Sequence, residues 1–185
     1  YECPSIASVR FGSGLRTIGE GAFEYCSSLG SIEIPNNVTN IARGAFNKCS
    51  SVTNIVIGSG LSPVPADVFP LDAPVDTLTV NGSGETVVAE QAFADSKIRH
   101  LVLNGVASLP CDFSYDGAFK ACTNLVSVVL GEGLLEIGHS TFKECTALTS
   151  VLIPDTVTNI TQSAFIDCKS LASVRFGSGL RTIGE

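Results

Sequence analysis

One stretch of this chain occurs twice without a change. ASVRFGSGLRTIGE fills Ala7–Glu20 and again Ala172–Glu185, an offset of 172 − 7 = 165 residues. Between the copies runs a shorter unit. Phenylalanine follows Ala or Thr at Phe23, Phe46, Phe93, Phe119, Phe142 and Phe165, and Phe69 of A-D-V-F keeps the phase, so the spacings are 23, 23, 24, 26, 23 and 23 residues. Self-similarity at a fixed period of about 20–50 residues is the mark of a stacked array. No such unit buries its apolar residues alone, so each must be covered by its neighbours, and the expected architecture is a solenoid of about seven coils.

The inside of a coil follows from the same register. Cysteine stands three residues after five of the phenylalanines, at Cys26, Cys49, Cys122, Cys145 and Cys168, with Cys3 in phase before them, and an apolar residue follows three further on, at Leu29, Val52, Leu125, Leu148 and Leu171. Then come alternating pairs, Ile32 and Ile34, Ile55 and Ile57, Val128 and Leu130, Val151 and Ile153. Period-two alternation predicts a short strand with one buried face. Corners of Pro or Gly with small polar residues follow (PNN, GSG, GEG, PDT), then two aliphatics three apart. Spacings of three in A-F-x-x-C-x-x-L predict turns or short 3₁₀ or helical segments on the side opposite the strand, since residues three apart share a face there.

These residues resemble the BspA-like, or Treponema-type, leucine-rich repeat, whose paired aliphatics, Pro or Gly, I-G-x-x-A-F and x-x-C are matched by LRTIGEGAFEYCSSLGSIEIP at Leu15–Pro35. The resemblance runs over essentially all of residues 1–185, read as a single continuous solenoid cut from a longer tandem array. It implies a parallel-sheet solenoid displayed outside the cell, in bacteria and several protists, with binding or adhesion roles and without catalysis. It brings no family-wide catalytic residues.

Composition narrows the partners. A formal net charge of −7 with no basic stripe argues against a phosphate backbone, so nucleic acid is not an expected partner. There is no run of about 18 apolar residues and no signal peptide. The sequence opens at Tyr1 and stops mid-repeat, which leaves room for targeting segments outside it. Neither His100, expected on the strand face, nor His139, expected in a turn, has the spacing of a metal site or a nucleophile and base. The G-x-G triplets are coil corners repeated in phase rather than phosphate loops opening a long helix. No catalytic, cofactor-binding or metal-ligating residue is expected, and the chain is expected not to be an enzyme.

Four features remain as candidate sites. Cys3, Cys26, Cys49, Cys122, Cys145 and Cys168 read as a ladder of buried free thiols. Equivalent residues on neighbouring rungs lie within disulfide reach, about 4.8 Å apart, yet point the same way, so occasional bridging is the weaker alternative. Cys111 is outside the ladder, open to reaction or intermolecular pairing. Where the ladder wants Cys two central repeats carry Asp72 and, one residue short, Ser96, and the Cys111–Gly117 segment adds residues before Phe119. That insertion is a candidate specificity loop or simple drift. Sequons at Asn37, Asn81 and Asn159 are candidate N-glycosylation sites, the first two expected in turns just after strands. Finally, the residues between the inward pairs are Arg10, Glu33, Val56, Thr79, Val102, Val129, Leu152 and Arg175, beside a polar row from Ser8 to Ser173. Four aliphatics in positions facing solvent make Val56, Thr79, Val102, Val129 and Leu152 a candidate interaction stripe, against plain strand propensity.

The expectation is therefore an extracellular structural or interaction protein that forms or decorates a surface filament, associating with itself end to end or laterally. The alternative is a cell-surface adhesin or receptor module binding a host protein or glycan through the exposed sheet face and the Cys111–Gly117 loop. Seven coils at one strand spacing of about 4.8 Å advance roughly 34 Å.

Overall fold

The computed structural model describes residues 3–110 and 116–184. Twelve strands occur among them: β1 (Thr17–Ile18), β2 (Ser31–Ile34), β3 (Asn40–Ile41), β4 (Asn54–Ile57), β5 (Thr77–Val87), β6 (His100–Leu109), β7 (Ser127–Leu130), β8 (Glu136–Ile137), β9 (Ser150–Leu152), β10 (Asn159–Ile160), β11 (Ser173–Arg175) and β12 (Thr182–Ile183). All pairs are parallel. The main sheet runs in the order β11-β9-β7-β6-β5-β4-β2, so successive coils lie side by side. Its register is the repeat register: Ile32, Ile55, Leu78, Leu101, Val128, Val151 and Val174 face one another rung by rung.

A second parallel ladder runs where the sequence showed only two aliphatics three apart. β1 pairs with β3, β8 joins the end of β6 to β10, and β12 closes the row, with a lone bridge between Val64 and Val88 in the middle. Where this ladder forms beside the main sheet, neighbouring coils are held by two strand contacts rather than one. In β5 and β6 the two merge, because the chain stays extended through the corner. Gly82 makes this possible: a Cβ there would meet the Gly105 carbonyl oxygen at 2.1 Å. Register slips between Asn81 and Thr86 take up the extra residues of β5, and the buried Thr86 hydroxyl accepts from Ser83 N–H at 3.0 Å.

The third side of each coil carries the phenylalanines. Phe23, Phe46, Phe69, Phe93, Phe119, Phe142 and Phe165 form one stack with centroids 5.3–6.1 Å apart and planes within 22° of parallel. The segments around them are turns. Cys26 N–H donates to the Phe23 carbonyl and Leu29 N–H to that of Cys26, the three-residue linkage the spacing predicts. They do not extend into helix because left-handed residues stand two before and two after the ring: Gly21 and Tyr25 around Phe23, Gly44 and Lys48 around Phe46, Ser140 and Glu144 around Phe142. That reversal points the phenylalanine N–H along the stack instead, to the next coil: Phe23 to Ala45 O at 2.8 Å, Phe142 to Ala164 O at 2.8 Å.

Candidate interaction face and thiol ladder

Because side chains alternate across a strand, the residues between the buried pairs are held on the outer face in strict register. Glu33, Val56, Thr79, Val102, Val129, Leu152 and Arg175 form one row across the sheet. Val56, Thr79 and Val102 are half-buried, while Val129 and Leu152 are 54% and 62% exposed. The aliphatic stripe is therefore bounded by an acid at one end and a base at the other. Beside it run Ser31, Asn54, Thr77, His100, Ser127, Ser150 and Ser173, in which His100 Nδ1 and Ser127 Oγ lie 2.8 Å apart. A groove of about 600 Å³ opens at the first coils between Arg10, Glu33, Ser8, Phe11 and Val56.

The cysteines divide by position along the stack. Cys26, Cys49, Cys122 and Cys145 are buried free thiols, Cys168 is half-buried, and Cys3, in the first coil with a neighbour on one side only, is exposed. Burial there fails for want of a covering rung. Four of the thiols donate to the carbonyl of the phenylalanine one coil back: Cys49 to Phe23 at 3.1 Å, Cys122 to Phe93 at 3.2 Å, Cys145 to Phe119 at 3.2 Å, Cys168 to Phe142 at 3.1 Å. This explains why a small donor recurs at that position. Burial pushes the Cys49 and Cys122 thiols up to about 11 and raises Cys26, Cys145 and Cys168 as well, which disfavours the thiolate that reacts or binds metal. Ser96 sits on the ladder itself, buried, with its hydroxyl 3.2 Å from Cys122 Sγ; the missing residue falls after it. Asp72 leaves the ladder for solvent, where it pairs with Lys48 at 3.2 Å, and Ala73 is buried in its coil. Cys111 lies outside the described residues, as does most of the Cys111–Gly117 loop.

The three sequon asparagines are tied to neighbouring coils. Asn37 lies in a turn and its amide donates to the Leu15 carbonyl. Asn159 is in β10, donating to Glu136 Oε1 at 3.2 Å and accepting from Thr182 Oγ1 at 2.5 Å. Asn81 does not lie in a turn after a strand, as its sequence context implied. It is inside β5, because the strand continues through the following glycines, and its Oδ1 accepts from Asn104 at 3.0 Å. The Asn37 and Asn159 amide nitrogens, the atoms a glycan would join, are both engaged as donors to a neighbouring coil. Among the described residues no set of three His, Cys, Asp or Glu side chains is placed to hold a metal ion, and no helix is long and apolar enough to cross a membrane.

The family model of the BspA type leucine rich repeat region, six copies, matches residues 1–110 and 114–185. Among solved structures the chain is similar to a leucine-rich repeat protein from Bacteroides ovatus, with TM-score 0.71 and 22% identity over 98% of this chain and 52% of that one. It is similar also to a leucine rich cell surface protein from Faecalibacterium prausnitzii (0.57, 21%, 97% and 62%) and to the pneumococcal vaccine antigen PcpA (0.54, 17%, 97% and 54%). The chain spans only 52–62% of those proteins. At such identities the likeness is one of fold. No curated protein sequence matches the chain.

Proposed function

The chain belongs to the BspA-type leucine-rich repeat family, and from that premise we propose that it acts outside the cell as a non-catalytic interaction solenoid, forming or decorating a surface filament through its outer sheet face. The observation that carries this reading is the in-register row from Val56 to Leu152, whose exposure reaches 62% at Leu152. Aliphatic side chains repeated once per rung give a partner a regular ladder of contacts, and a second solenoid with the same spacing matches it without adjustment. The terminal Glu33 and Arg175 favour antiparallel pairing, in which each acid meets a base.

Replacing Val102 and Val129 by Lys tests it. Both side chains point away from the core, so the coils stay folded by circular dichroism while sedimentation and electron microscopy register loss of side-by-side association. Unchanged lateral association refutes the stripe. A receptor or adhesin reading is favoured by the roughly 600 Å³ groove on the same face and by the description of two structural neighbours as a cell surface protein and a vaccine antigen. It predicts a monomer that binds a host protein or glycan, with affinity lost on Arg10→Ala in the groove.

A further inference from the structure

On the phenylalanine side of the coils one hydrogen-bond row breaks in the interior of the stack. The residue two after a ring donates its N–H along the stack to the residue one after the next ring: Tyr25 to Asn47 O at 2.9 Å, Asp95 to Lys120 O at 2.8 Å, Ala121 to Lys143 O at 2.7 Å, Glu144 to Ile166 O at 2.8 Å. Lys48 and Leu71, in the two coils between, do not. The cause is Pro70. In the neighbouring coils the residue after the ring donates back to the one two before it, Asn47 to Gly44 O at 3.0 Å and Ala94 to Gln91 O at 3.2 Å, and a proline has no N–H to give.

The turn therefore re-forms one residue later. Ala73 N–H donates to Pro70 O at 2.9 Å where Cys49 N–H donates to Phe46 O, and the buried residue falls four after the ring instead of three. Leu71 is not left-handed, unlike Tyr25, Lys48 and Asp95 at the same place, so its N–H turns back to Phe69 O at 3.0 Å. Two main-chain groups lose their partners by this. Among the described residues no acceptor takes the Lys48 N–H and no donor reaches Ala94 O. Both residues line a groove of about 660 Å³, whose apolar part is Phe69, Pro70 and the half-buried Leu71. Coils precede and follow every residue that lines it. Lys48 and Ala94 flank the Pro70 coil, roughly 10 Å apart at one strand spacing of about 4.8 Å per coil, a span that a short extended segment covers.

We propose that this groove binds an extended peptide of a partner protein, with an apolar side chain set against Phe69 and Leu71 and a neighbouring Lys or Arg directed to the carboxylates of the rim. A peptide carries in its own backbone both groups the broken row lacks, a carbonyl for Lys48 N–H and an N–H for Ala94 O. Recognition of extended segments rests on such main-chain bonds for affinity and on a side-chain pocket for specificity. The charge follows from the rim. Arg43 and Lys48 stand against Asp67, Asp72 and Asp95, 3 − 2 = 1 negative charge in excess, and Lys48 is already held by Asp72 at 3.2 Å. Asp95 stands beside Ala94, so the basic residue belongs next to the peptide N–H that Ala94 O receives. The groove shares no residue with the sheet-face row, so the two surfaces act independently.

The test selects a phage-displayed library of random linear peptides on the full chain, and the enriched peptide is synthesised and titrated by fluorescence anisotropy. The expected consensus is an apolar residue adjoining Lys or Arg. Leu71→Asp puts a charge on the apolar part of the groove and weakens binding at least about tenfold. Asp95→Asn weakens it about two- to fivefold, and because asparagine tolerates the left-handed backbone that Asp95 adopts at φ 60°, this variant reads the groove even where Leu71→Asp fails to fold. In amide NMR spectra of the unaltered chain the Lys48 amide proton shifts downfield as the peptide saturates. No enriched peptide, an acidic consensus, binding indifferent to Asp95→Asn, or an unmoved Lys48 amide overturns the proposal. So does a glycan from an immobilised panel that the chain retains and the folded Leu71→Asp variant loses while no peptide is enriched. Peptide binding retained while Val102→Lys with Val129→Lys leaves lateral association unchanged overturns the sheet-face row alone.

Discussion

The phenylalanine stack offers the most quantitative check of how this chain holds together. Phe119 is fully buried, with Phe93 and Phe142 each 5.6 Å away and within 8° of parallel. Truncating a buried Phe to Ala costs about 3–5 kcal/mol, and each aromatic pair contributes about 0.5–1.5 kcal/mol beyond its area. With rings on both sides and carbonyls fixed by thiol donors, Phe119→Ala belongs at the upper end, about 5 kcal/mol. Phe165 is half-buried and stacks on Phe142 alone, at 5.4 Å. Its truncation loses one neighbour and part of the transfer term, about 2–3 kcal/mol by the same figures. The assay is urea unfolding followed by far-UV circular dichroism, since the chain has no tryptophan, at concentrations low enough to keep it monomeric. In a stack where each coil touches only its neighbours, the mid-array change also broadens the transition by uncoupling the two halves. Equal costs at the two positions, or less than about 2 kcal/mol at Phe119, refutes the nearest-neighbour account.

Three other outcomes follow from specific contacts. Cys122 has a folded pKa raised from 9.0 to about 11: below pH 9 both states keep the proton, and as the pH climbs to 11 the unfolded state loses it first, so stability falls by about 3 kcal/mol from this thiol, a drop that Cys122→Ala removes in alkaline denaturation. At pH 8 a thiol reagent modifies the exposed Cys3 in native protein, while Cys26, Cys49, Cys122 and Cys145 react only after unfolding. Gly60→Ala, whose Cβ would meet Asn36 O at 2.2 Å, costs about 1–3 kcal/mol by overpacking, whereas Gly14→Ala at the matching corner, with open space around it, stays within about 0.5 kcal/mol; thermal unfolding of the pair reads the difference.

Much of the coil was legible because it is repeated. A residue type that recurs seven times at one phase must meet itself on the next rung, so the buried rows, the outer row and the ring stack follow from counting. What escaped depends on contacts that leave no repeating mark. The left-handed positions beside each phenylalanine are filled by Tyr25, Lys48, Asp95, Ala121, Glu144 and Asp167, residues with no common side-chain chemistry, because the neighbouring coil's hydrogen bonds impose the conformation. The second strand ladder is only two residues deep in most coils, too short to alternate. Asn81 was misplaced for a related reason: N-G-S-G reads as a turn, and it is the close approach of Gly82 to the Gly105 carbonyl that lets the strand continue through it. Ser96 and Asp72 diverge because a serine can replace a thiol as a small buried donor while an aspartate cannot, so the chain turns Asp72 outward toward Lys48 and buries Ala73.

The same locality that made the fold readable fixes where the molecule can respond to a partner. Each interior coil has its ring and much of its backbone satisfied by the coils on either side, so on the sheet face interior rungs offer a partner what projects outward, the rows from Glu33 to Arg175 and from Ser31 to Ser173.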